Sequence, residues 1–208
     1  VEAEKLYQLV LQAFPKNLRA HQGLTALNKT AQKNTSQSIP QETFDELVNH
    51  YNQGKFLTVI DQAQDLTNEY PKAFVVWNLL GVSIAQIGKL DKAIEAYNKA
   101  LSIKPDYAEA YSNMGLTLKD QGKHDEAIEA FNKSIALKPD YAEAYSNMGN
   151  ALQNQGKLDQ AIEAFNKALS FKPNSAVMYN NMGNVFQDQG KLDKAIEAYN
   201  KALSIKPD

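Results

Sequence analysis

The octapeptide AEAYSNMG, Ala108 to Gly115, returns letter for letter at Ala142 to Gly149, 34 residues later. A fixed period between about 20 and 50 residues marks an array of like units, each a single supersecondary element stacked on its neighbours. Working outward from this stretch, four units can be aligned: 74–107, 108–141, 142–175 and 176–208. Each reads close to AxxYxNxGxxLxxQGKLDxAIEAFNKALSxKPD, and the second and third agree at 22 of 34 positions.

Inside each unit the apolar residues fall at helical spacing twice. The first helix carries Trp77, Leu80, Gly81 and Ile84, matched by Tyr111, Met114, Gly115 and Leu118, by Tyr145, Met148, Gly149 and Leu152, and by Tyr179, Met182, Gly183 and Phe186. Gly88, Gly122, Gly156 and Gly190 come next, where a helix has to stop and a left-handed residue costs glycine least. A second helix is expected from near Asp91, Asp125, Asp159 and Asp193, acids suited to the positive end of a helix dipole. Its buried stripe runs through Ala93, Ile94, Tyr97, Ala100 and Leu101, and Pro105, Pro139, Pro173 and Pro207 close the units. Asp106 with Glu109, and Asp140 with Glu143, have the spacing of a capping box for the following helix.

The period and skeleton resemble those of the tetratricopeptide repeat, with its W-x2-L-G-x2-Y, A-x3-F and P positions. The resemblance covers residues 74–208 and implies an all-α, right-handed superhelical solenoid of antiparallel helix hairpins. Small residues such as Gly81 and Ala93 let the two helices of a hairpin approach, and each hairpin leaves an apolar side that only a neighbour covers. Residues 40–73 read as a diverged unit, with Gly54 at the turn, Ala63 at the aromatic position and Pro71 at the end; Leu47 replaces the expected glycine and should widen that hairpin. Residues 1–28 read as partial N-terminal repeat helices, and 29–39 as a linker or long loop. Both ends look like cuts through an array, so an exposed apolar face bearing Tyr199, Ala202 and Ile205 is expected on the last helix, able to pair with another copy.

Composition narrows the function classes. The 208 residues are 43% apolar, enough for a substantial core, and 24 acidic against 22 basic residues leave a net charge of −2. Such a balance gives no footprint for nucleic acid or for an anionic membrane. With no cysteine, thiolate chemistry and cysteine-ligated metals are excluded. No apolar run reaches the roughly 18 residues of a bilayer span, so a cytoplasmic protein is the expectation. The three histidines, His21, His50 and His124, stand in different units without a nucleophile or ligand set beside them, and QGK lacks the spacing of a phosphate loop. Neither catalysis, a metal nor a cofactor is therefore expected. The stripe Trp77, Tyr111, Tyr145 and Tyr179 fits packing between helices better than a stacking platform.

What remains is the asparagine in AYSNMG. Positions 2, 6, 9 and 13 of the first helix form a strip turned away from the buried positions. On it stand Asn113, Asn147 and Asn181, then Asn150 and Asn184, then Asp120, Asn154 and Asp188, with Ser112, Ser146 and Asn180 alongside. In tetratricopeptide arrays this strip lines the concave surface, so the resemblance implies a groove for a protein or extended peptide. A carboxamide can meet both the carbonyl and the amide of one extended residue. The ladder is similar to that in the repeat domain of the O-linked N-acetylglucosamine transferase, where asparagines at this position hold extended polypeptide; Leu79 departs from it. The plainer reading is a polar residue tolerated on a solvated helix. Lysine and arginine clamps, which chaperone-binding repeats set on this strip, are replaced here by Glu109, Glu143, Asn147 and Ser112, which disfavours a free acidic C-terminus. Three functions stay open: a scaffold gripping an extended polypeptide, a module that self-associates end to end into a homo-oligomer, or the recruitment arm of a larger glycosyltransferase or sulfotransferase.

Overall fold

The computed structural model describes residues 39–207. The expected partial helices at 1–28 and the linker at 29–39 therefore lie, apart from Ile39, outside the described residues. Within these bounds the chain is all-α, ten helices taken in consecutive antiparallel pairs. Helix α1 (Gln41–Asn52) pairs with α2 (Phe56–Glu69), α3 (Phe74–Gln86) with α4 (Leu90–Ile103), and α5 (Ala108–Asp120) with α6 (His124–Leu137). The series ends with α7 (Ala142–Asn154) on α8 (Leu158–Phe171) and α9 (Ala176–Asp188) on α10 (Leu192–Ile205).

Each hairpin turns on its glycine. Gly122 takes φ +77°, donates its amide to Lys119 O at 2.9 Å, and lets Lys123 N reach Leu118 O at 2.9 Å. These two bonds close the last turn of α5 in the Schellman manner and satisfy carbonyls that would otherwise be orphaned. The expected capping boxes do not form. Tyr107 and Tyr141 occupy the N-cap positions with no side-chain cap bond, and the acids meant for the box face elsewhere. Glu109 instead pairs with Lys138 at 3.2 Å, and Glu143 pairs with Lys172, tying each first helix to the end of its own second helix. The lysine beside Glu143 holds its carboxyl below the usual range.

The hairpins are held by a large ring seated on a bare backbone. A Cβ on Gly115 would lie 2.7 Å from Phe131 Cε1, and Phe131 is fully buried. Gly81 with Tyr97, Gly149 with Phe165 and Gly183 with Tyr199 repeat the contact. In the diverged hairpin the sizes are exchanged: Leu47 and Ala63 occupy the two positions, both in one buried cluster, and α1 stands further from α2 than the helices of later pairs do. A larger residue on the first helix has displaced the ring from the second, with total volume roughly conserved.

Stacking then fixes the curvature. Each second helix packs on the next first helix, and successive first helices also touch one another, whereas among the described residues successive second helices do not. The stack is therefore shorter along its first helices and bends toward them, which places α1, α3, α5, α7 and α9 on the inner wall. Recurrent bonds fasten the units: Gln121 Nε2 to Asp91, Gln155 to Asp125 and Gln189 to Asp159, each at 2.8 Å. The first-turn acids of the second helices thus also serve as acceptors for the next unit.

Gly115→Ala tests the seating. Helix propensity alone would gain about 0.5–1 kcal/mol, but the ring has to move, and overpacking of a filled core costs about 1–3 kcal/mol. Urea unfolding should show a net loss of about 1 kcal/mol; a gain would mean that the ring gives way freely.

Candidate functional site: the inner wall

The asparagines fall where first helices face one another. Asn113 donates its amide to Asn78 Oδ1 at 3.1 Å, a bond running directly from α5 to α3. Asn147 and Asn181 sit at the same position of α7 and α9, half-buried, and among the described residues their carboxamides have no hydrogen-bond partner. Further along the wall Asp120, Asn154 and Asp188 are exposed, and Gln153 donates to Asp188 at 2.6 Å between α7 and α9. Lys119 lies 3.3 Å from Asp120. Much of the negative charge on the wall is thus met locally.

Other members of the strip are placed differently. Ser112 and Ser146 are buried, at 2% and 7% exposure, and cannot meet a ligand resting on the wall. For Ser112 the cause is the N-cap tyrosine of the next first helix: the serine lies beside the hydroxyl of Tyr141, which burial, then the Glu109 and Glu143 carboxylates, push above its ordinary pKa. Burial, followed by Glu109, likewise carries Tyr107 up to about 12, so both phenols remain neutral at physiological pH. Asn180, where the sister units have serine, is exposed. Asn150 is half-buried, as is Asn184, whose Oδ1 accepts from Tyr199 at 2.8 Å and so is engaged within its own hairpin.

Two further surfaces come with the stack. The stripe Trp77, Tyr111, Tyr145 and Tyr179 is half-buried rather than core. Between α6 and α8, Tyr145 and Met148 form the floor of an outer cleft with Asn132, Glu163 and Lys167 among its walls. On α10 the expected apolar face is corrected. Ala202 is buried at 8%, and Tyr199 and Ile205 are half-buried, because that stripe turns toward α9 and Gly183. The exposed residues are Leu192, Ile196 and Leu203. Elsewhere, His50 Nδ1 lies 3.0 Å from Gln62 Oε1, and among the described residues no three metal-ligating side chains come together. No helix among the described residues is long and apolar enough to cross a membrane.

Stacked hairpins with a ring on a glycine and a polar inner wall define a helical repeat solenoid. The chain belongs to the tetratricopeptide repeat family: the family models described as TPR repeat match 84–122 and 115–156, and that described as tetratricopeptide repeat matches 140–208. Among solved structures, a crystal structure of MamA is 29% identical with a TM-score of 0.68, covering 76% of this chain and 93% of that one. MamA residues 41 to the end from Desulfovibrio magneticus RS-1 shares the fold, with a TM-score of 0.70 at 18% identity over 80% of this chain and 94% of that one. Among curated proteins, the peroxisomal targeting signal receptor of Kluyveromyces lactis is 34% identical over 64 residues, 31% of this chain and 11% of the receptor. That of Saccharomyces cerevisiae is 33% identical over 64 residues, 31% of this chain and 10% of the receptor. The chain thus matches only a small part of the length of these receptors.

The two kinds of asparagine separate in stability. Asn113→Ala removes a half-buried bond between units and should cost about 1 kcal/mol. Asn147→Ala should stay within about 0.5 kcal/mol of wild type in the same urea titration. Equal losses would assign Asn147 a structural bond.

Proposed function

We propose that the chain is a protein-interaction scaffold that holds an extended polypeptide against its inner wall, with asparagine carboxamides bonding the ligand backbone. One observation carries the reading: Asn147 and Asn181 recur one unit apart on adjacent inner helices, half-buried and, among the described residues, without a hydrogen-bond partner. A half-buried amide with no protein partner can exchange water for a bound backbone, each such bond being worth about 0.5–1.5 kcal/mol net. Asparagine is also a mediocre helix former, so its recurrence in mid-helix adds no stability to the array. Neighbouring Asp120, Asn154 and Asp188 offer further acceptors along the same wall. The matched receptors are named for a targeting signal, which fits a repeat surface that receives a peptide.

The test uses a panel of unstructured 15-residue peptides, labelled and titrated with the full chain by fluorescence anisotropy. Replacing Asn113, Asn147 and Asn181 together with alanine should weaken the best binder about 30-fold, taking roughly 1 kcal/mol for each of the carboxamides of Asn147 and Asn181. Circular dichroism should remain that of the wild type. Methylating the backbone nitrogens at the centre of that peptide should weaken it comparably. Retention of affinity by the triple variant, or indifference to methylation, would remove the carboxamides from the mechanism.

A further inference from the structure

The joint between α8 and α9 departs from its sister joints in a way that changes its chemistry. Lys-Pro-Asp stands at 104–106 and 138–140, but here the chain reads Lys172, Pro173, Asn174. The residue that follows differs too, Ser175 in place of Tyr107 and Tyr141. Asn174 is exposed, and it is the one asparagine among the described residues that no helix contains. In a helix the amide after an asparagine is committed to a main-chain carbonyl. Even at a helix end the bond persists: Gln155 N, following Asn154, donates to Ala151 O at 3.2 Å.

Ser175 is placed otherwise. It is the N-cap of α9, a position whose own amide no helical carbonyl satisfies. Among the described residues that N–H has no hydrogen-bond partner, whereas its counterpart on Tyr141 donates to Lys138 O at 3.1 Å. Its small side chain is turned toward α9, where Oγ accepts from Met178 N at 3.4 Å. An exposed carboxamide thus precedes an uncommitted amide nitrogen in a turn free of helical restraint. We propose that Asn174 is a site of spontaneous deamidation, with water as the co-reactant. The Ser175 nitrogen gives its proton to solvent base and bonds to Cγ of Asn174. The Cγ–Nδ2 bond breaks, and Nδ2 takes up a proton and leaves as ammonia, closing a succinimide. Water then adds to one of the two ring carbonyls. Breaking the new bond to Cγ yields aspartate, the residue of the sister joints. Breaking the bond to the main-chain carbonyl carbon yields isoaspartate, which puts one more carbon into the main chain ahead of α9.

The full chain, incubated in mildly alkaline buffer made with heavy-oxygen water and mapped by peptide mass spectrometry, tests this. At Asn174 an NH should be exchanged for a labelled oxygen, with aspartate and isoaspartate peptides eluting separately. Conversion there should be about tenfold faster or more than at Asn113, Asn147 or Asn154, whose following amides must first be freed by local opening. In guanidinium chloride the rate at Asn174 should stay within about threefold of the native rate, because folding does not protect it. With Asn174→Gln, where the ring would be one atom larger, the signal at this turn should vanish. Conversion no faster than at the helical asparagines, a rate that climbs well beyond that margin on unfolding, or a signal that persists in Asn174→Gln overturns the inference.

Discussion

A flat aromatic ring resting on a glycine backbone is the contact from which the rest of the molecule follows. Where Gly115 meets Phe131, the first helix lacks the one atom that would hold the second away, and two interiors merge into one. The approach gives each hairpin a fixed crossing and an apolar remainder on both sides. That remainder is what obliges the units to stack. Because interiors are close-packed, the geometry is transmitted from unit to unit with little slack.

Curvature follows from which helices can reach each other. Among the described residues, first helices touch their successors and second helices do not, and the wall so formed is lined by the residues of the first helix that packing does not use. Its polar groups divide between two tasks. Asn113 with Asn78, and Gln153 with Asp188, bind unit to unit, while Asn147 and Asn181 make no such bond among the described residues. The distinction lies in partners rather than in residue type.

Architecture was legible in the sequence because a repeat states its packing rule several times over. Gly81, Gly115, Gly149 and Gly183 each faced a ring sixteen positions on, and Leu47 with Ala63 announced the exception. The unread parts depend on neighbours one unit away. Nothing in Asp91 indicates that Gln121 will bond it, because the pair is thirty residues apart and each has a sufficient local explanation. Glu109 has the spacing of a cap, yet Lys138 at the other end of the hairpin competes for it. Ser112 belongs to the polar strip by helical phase, but the tyrosine of the next unit closes over that phase. On α10 the stripe through Ala202 and the one through Leu203 are both apolar, and only the placement of α9 distinguishes them. The identity of residues 90–106 and 192–208 was the available signal: α4 shows which stripe a following unit covers.

A double-mutant cycle on one seat measures the governing contact most directly. Gly149→Leu and Phe165→Ala, made singly and together, recreate in α7 and α8 the exchanged sizes seen at Leu47 and Ala63. Each single change should be costly, the first by overpacking and the second by a cavity of about 3–5 kcal/mol. Together they should cost less than their sum by more than about 1 kcal/mol in urea unfolding. Additivity within about 0.5 kcal/mol would mean that the two positions do not share one space, contradicting the contact on which the stack depends.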